Sequence, residues 1–154
     1  MSGDRLRRAG PRVEPPAGPP WDTPLERAEL AFVDLEMTGL RADRDRVVEV
    51  CIERVAGGRV VDRLESLVRP EPFVSGNVHV HGIDAAAVAA APTFAELAPR
   101  IEALLDGAVL VAHAAPWDVA FLEAELARAG RPRTIPCFLD TLTLSRRAFV
   151  QESH

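Results

Sequence analysis

Residues 30–36 (LAFVDLE) constrain this chain more than any other stretch. The run is apolar apart from Asp34 and Glu36 and enters a turn at Thr38-Gly39, which predicts a β-strand ending there. The two acids stand two apart, so strand alternation sends both side chains to one face, roughly 7 Å apart along the strand at about 3.3 Å per residue. Two carboxylates on one face repel each other, and burying them is costly unless cations sit between them. Mg²⁺ and Mn²⁺ prefer hard oxygen ligands, and two such ions about 3.5–4 Å apart can drive in-line attack on a phosphodiester. A D-x-E pair at a strand end equally fits two acids that face solvent, so the pair alone decides nothing.

The rest of the 154 residues decides more. Residues 1–28 hold six of the 13 prolines, five arginines and four acids, with few large apolar side chains. Such a stretch buries too little surface to offset the entropy of ordering it. It is expected to be a disordered arm, with 29–154 as the folded domain. All 18 cationic side chains are arginine, and against 23 acids they leave a formal charge of -5. That balance excludes a nucleic-acid coat protein held by bulk positive charge, so any nucleic-acid contact is local. Cys51 and Cys137 lie far apart with no metal-ligand spacing, which argues against a disulfide framework or a zinc site and for a cytoplasmic setting. No apolar run reaches the roughly 18 residues a bilayer span requires, so no membrane partner is expected.

Periodicity supplies the remaining elements. Strands are predicted over 47–55 and 60–68, joined by a Gly57-Gly58 hairpin turn. A short helix over 85–90 follows, then a capping box at Thr93–Glu96 with Phe94, Leu97, Ile101, Leu104 and Leu105 at helical intervals. Pro99 conflicts with that helix and predicts a kink or a late start. A strand over 108–112, a helix over 116–129, a strand over 135–139 and a helix from Asp140 complete an α/β domain with a mixed sheet. Asp118 falls in the first turn of the 116–129 helix, where the helix dipole favours a carboxylate. With Asp34 and Glu36 it makes three acids at strand ends, where α/β folds build sites.

Four segments in order now resemble the DEDDh 3′-5′ exonucleases: FVDLEMTGL at 32–40, VHGI at 80–83, VAHAAPWDVAFL at 111–122 and LDTLTLSRR at 139–147. That family includes the proofreading subunit of bacterial DNA polymerase III, and the DLEMTGL wording is also similar to oligoribonuclease. The resemblance implies a ribonuclease H-like mixed sheet of five strands with flanking helices. It implies that Asp34, Glu36 and Asp118 are catalytic carboxylates holding two Mg²⁺ or Mn²⁺ ions. It implies that Thr38, Gly39 and Leu40 form the turn that packs on a terminal nucleotide, with His81 and His113 also on the substrate side. The substrate implied is the 3′ end of single-stranded nucleic acid, with a DNA polymerase subunit as the partner.

The match also departs from the family. Asn is replaced by Ala114 in the segment usually written HNA, which removes a possible hydrogen bond. The usual Phe before the third acid is Trp117, expected to fill the same apolar socket. Asp140 matches a position that is commonly acidic but not a metal ligand, where a helix-capping role is expected. The family's fourth acid and general-base histidine lie in an H-x-x-x-x-D segment several dozen residues beyond the DTL motif, and here 14 residues follow Asp140, ending at His154. The C-terminal helices are therefore expected to be missing, with apolar surface left around Leu142, Leu144 and Phe149. Activity of this form is expected to be weak or absent, because general base catalysis contributes about 10²- to 10⁴-fold. A second reading is a non-catalytic module that binds nucleic acid or a polymerase through the arginines at 128, 131, 133, 146 and 147.

Overall fold

The computed structural model describes residues 14–73 and 82–149. Five strands form one mixed sheet in the order β3-β2-β1-β4-β5. β1 (Leu30–Met37), β2 (Val47–Ala56) and β3 (Arg59–Leu67) are an antiparallel meander, whose second turn places Gly57 and Gly58 both at positive φ. Two consecutive left-handed residues match the twist of the flanking strands, which is why a Gly-Gly pair closes this hairpin. β4 (Val109–Ala112) then pairs parallel with β1, Phe32 opposite Val111, and β5 (Leu139–Asp140) pairs parallel with β4. The carboxyl ends of β1, β4 and β5 therefore lie along one edge, at the point where the chain leaves β1 to both sides, which is where open α/β sheets form their crevice.

One face of the sheet carries the core. Ala31, Val33 and Leu35 alternate inward on β1 and meet Val50 and Ile52 of β2. Over them pack α2 (Phe94–Leu105) and α3 (Ala115–Arg128), through Ala98, Ile101 and Leu104 and through Phe121, Leu122 and Leu126. α1 (Ala85–Ala89) is short, and α4 (Thr141–Ala148) buries no residue. On the opposite face Phe32 is 41% exposed, and on and after α4 Leu144 and Phe149 are exposed as well.

Three expectations change. α2 does not start late at Pro99: it opens at Phe94 behind a complete capping box, with Pro99 in its interior. Pro99 and Ala95, whose carbonyl loses its usual donor, are both exposed, so the proline sits on the solvent side of the helix, away from the core. The last strand is not 135–139 but only Leu139–Asp140, because Pro136 denies the ladder a donor and the Ile135 N–H is taken by the Glu123 carboxylate at 2.6 Å. The expected arm over 1–28 divides. Residues 1–13 lie outside the described residues, while 14–28 form hydrogen-bonded turns, bury Ala28 and bring the Glu14 carbonyl to the Cys137 thiol.

Two arginines, one on β2 and one in the turn before it, fasten the sheet to the helices. Arg54 reaches the C-terminal end of α2, donating to the carbonyls of Ala103 and Asp106, and pairs with Glu29. Arg46, in the β1–β2 turn, holds Glu125 of α3 by two bonds of 2.7 and 2.9 Å, and the Val47 N–H adds a third at 3.1 Å. Glu125 is 1% exposed, and these donors, with the Arg128 guanidinium 3.5 Å away, surround its carboxylate. Glu125→Ala is expected to lower unfolding free energy by about 3–5 kcal/mol, since it leaves Arg46 without its partner. Glu125→Gln, which keeps an acceptor, is expected to cost less; urea denaturation midpoints of both variants check this.

Candidate active site

The β1 register decides where the acids point. Ala31, Val33 and Leu35 face the core, so Phe32, Asp34 and Glu36 share the other face. Asp34 is exposed and stands opposite Cys51 of β2, and Glu36 stands opposite Glu49. Asp118 sits in the first turn of α3 and is only 7% exposed. Its pKa is pushed up to about 7, first by burial and then by the negative charges of Asp34 and Glu36. Hydrogen bonds from its own backbone N–H and that of Leu35 pull the other way without prevailing.

The three acids thus share one field, yet among the described residues no three His, Cys, Asp or Glu side chains converge as a metal cluster. A cleft of about 370 Å³ opens beside Asp34, walled by Phe32, Cys51, Val111, His113 and Thr141. Phe32 was readable in advance from the alternation that pairs it with Asp34; Cys51 and Thr141 enter only through register and tertiary packing.

The other anticipated residues differ in their surroundings. Thr38 is spent on the turn, its hydroxyl accepting from the Arg46 N–H at 3.0 Å. A Cβ at Gly39 would meet the Asp45 carboxylate, so the small residue here makes room for a protein side chain. Asp45 in turn accepts from the Arg41 N–H at 2.8 Å. Leu40 is 69% exposed beside this turn. His81 lies outside the described residues. The His113 Nδ1 is 3.0 Å from the Thr141 hydroxyl, which itself donates to the Ala112 carbonyl at 3.3 Å. That chain assigns the His113 proton to Nδ1 and leaves Nε2 as the acceptor.

Trp117 does not fill an apolar socket: it is 49% exposed, one residue before Asp118. The arginines expected to form a basic strip are partly committed elsewhere. Arg128 donates to the Ala42 carbonyl, Arg131 pairs with Glu102 and Arg133 with Asp106. Ala114, where the family's Asn was missed for its amide, is the sole positive-φ residue other than glycine among those described, at φ 61 and ψ 43. Asn tolerates this left-handed conformation and Ala does not, so the substitution introduces backbone strain.

Two outcomes follow from this geometry. Ala114→Asn is expected to stabilise the chain by about 0.5–1 kcal/mol, read as a rise in melting temperature. Asp118 has a folded pKa above its unfolded one, so its contribution to stability is complete below about pH 4 and is lost as pH rises through about 7. In chelator, Asp118→Asn is therefore expected to melt several degrees above the parent chain at pH 8, with the gap closing toward pH 4.

A model of the exonuclease family (RNase_T) matches residues 31–153. A DNA polymerase III subunit epsilon-like protein of Rhodobacter capsulatus is 38% identical over 132 residues, 83% of this chain and 19% of that protein. A PolC-type DNA polymerase III of Caldanaerobacter subterraneus is 35% identical over 124 residues, 79% of this chain and 9% of that protein. The chain thus spans less than a fifth of the length of these relatives. Among solved structures, product-bound exonuclease I superposes with a TM-score of 0.67 at 18% identity, covering 80% of this chain and 32% of that one. Escherichia coli exonuclease I in complex with a dT13 oligonucleotide matches with the same TM-score and identity, over 80% of this chain and 30% of that one. At this identity the likeness speaks for the fold.

Proposed function

The chain belongs to the exonuclease family, and on that premise we propose that it removes nucleotides from the 3′ end of single-stranded DNA, with Asp34, Glu36 and Asp118 holding two Mg²⁺ or Mn²⁺ ions. The observation that carries this reading is Asp118, a buried carboxylate raised to about pKa 7 by its surroundings and by two neighbouring carboxylates. A carboxylate perturbed in this way is a mark of a functional site, and Asp34, one of the two neighbours that raise it, lines the cleft. The donor set fits the cations: three carboxylates are hard oxygen ligands, and positive charge offsets the poor solvation, and with it the repulsion, that lift Asp118. When bound, such ions supply an activated water and stabilise the leaving 3′ oxygen.

The chain's own side chains bind and orient. Asp34 and Glu36 project from one face of β1, and Asp118 gives up its proton as the site takes on positive charge. Leu40 and Trp117, both large and exposed, offer apolar contact for the terminal nucleotide. Two relatives bear the name DNA polymerase III, which makes a polymerase subunit the proposed partner. The proposed setting is the cytoplasm, where Cys51 and Cys137, both free thiols, remain reduced. Among the described residues no helix is long and apolar enough to cross a membrane.

The test is a 5′-labelled single-stranded oligonucleotide incubated with excess protein and Mn²⁺. Shortening from the 3′ end, abolished by chelator and reduced at least about 10²-fold in Asp34→Ala and Asp118→Ala, is the expected result. Salt-dependent binding without any product, or cleavage that persists in both variants, overturns it. A parallel oligoribonucleotide reports the preference between DNA and RNA.

A further inference from the structure

The α3 N-terminus lacks a cap of its own. Its N-cap residue is Ala114, which has no side-chain acceptor and is held in the left-handed conformation that alanine disfavours. The first amides of the helix are satisfied from another element. Asp140, at the end of β5, accepts from the Ala114 N–H at 2.9 Å and the Ala115 N–H at 3.4 Å through the same Oδ1. That oxygen also accepts from the Leu142 N–H at 3.1 Å, which caps α4, and Oδ2 accepts from the Thr143 hydroxyl at 2.8 Å. Burial on its own would raise the Asp140 pKa, but the bonds from Thr143, Ala115, Leu142 and Ala114 hold it below the usual carboxylate value. One charged side chain therefore fixes the starts of two helices. α3 carries Asp118 one turn further on, and the residue after Asp140 is Thr141, which orients His113.

We propose that Asp140 is a positioning residue: by clamping the strained turn at Ala114 it sets where Asp118 stands against Asp34 and Glu36. A simple helix cap would act on stability alone. The clamp acts on the site, because Ala114 has several other backbone conformations open to it and each would swing the first turn of α3. Asp140 makes no contact with Asp34, Glu36 or Asp118 among its hydrogen bonds, so its effect passes through the backbone. The inference rests on the metal-binding role proposed for those three acids.

The experiment measures three quantities on the 154-residue chain: melting temperature, amide hydrogen exchange at Ala114 and Ala115 in chelator, and Mn²⁺ affinity by calorimetry. Asp140→Ala is expected to lose protection at both amides and to weaken Mn²⁺ binding about 10- to 100-fold, the range for residues that orient metal ligands from outside. Asp140→Asn, which keeps an oxygen acceptor, is expected to retain both within about three-fold. Thr143→Val, which removes only the Oδ2 partner, is expected to leave Mn²⁺ affinity unchanged. Adding Ala114→Gly to Asp140→Ala relaxes the need for a clamp, because glycine adopts positive φ freely, and is expected to restore part of the affinity. If Asp140→Ala does not fold, Asp140→Ser takes its place.

The proposal is overturned if Asp140→Ala keeps its amides protected, or loses protection while binding Mn²⁺ like the parent chain. It is also overturned if the Ala114→Gly addition recovers melting temperature but no affinity, since that is the pattern of a cap alone. Failure of the parent chain to bind Mn²⁺ sinks the metal-site reading instead, and the clamp is then judged on amide protection at Ala114 and Ala115, retained protection in Asp140→Ala overturning it.

Discussion

The buried carboxylate of Glu125 is the contact on which the rest of the arrangement depends. It receives both arms of Arg46 and the Val47 N–H, all from the segment that begins β2, and it sits two turns along α3 from Asp118. The helix that carries one acid is thereby fastened to the hairpin that carries the other two. Arg46 also donates to the Glu71 carbonyl, so the chain leaving β3 is drawn into the same knot. A buried ion pair of this type contributes little net stability over an apolar isostere. Its value lies in geometry: the planar guanidinium admits one approach of the carboxylate, which fixes the rotation of α3 about its own axis.

With α3 held in its last turn by Glu125 and at its start by Asp140, the strain at Ala114 has a reason to persist. Strained backbone survives where surrounding contacts over-determine it, and such positions gather at functional sites. Asp118 extends the same logic to charge. The fold keeps a carboxylate poorly solvated near two others, a loss for the protein alone that nearby positive charge would offset.

Much of this was readable in the residues, and the limits have physical causes. β1, β2, β3, β4 and α3 follow from alternation, helical spacing and the Gly57-Gly58 turn, because each buries a continuous apolar face or closes a tight corner. β5 did not, since its pairing is decided by where β4 ends and only two residues take part. The spacing of Asp34 and Glu36 puts both on one face of β1 and says no more, whereas the burial that perturbs Asp118 comes from packing between elements distant in sequence. The left-handed turn at Ala114 had no local signal, as alanine gives none for that conformation. Gly39 was readable as a special position, but its reason, the Asp45 carboxylate, lies six residues away across a turn. Trp117 shows the same limit: its identity suggests burial and its position denies it.

The two ends of the sheet are built unlike each other. β3 presents a nine-residue outer margin with Arg59, Asp62, Arg63 and Glu65 along it, and Arg63 and Asp62 are tied by ion pairs to Glu65 and Arg100. β5 presents two residues before the chain turns into α4. A strand from another molecule seeking to extend this sheet would meet a row of charged side chains on one side and a two-residue strand on the other. Both margins therefore discourage edge-to-edge assembly, and the sheet ends where the chain ends it.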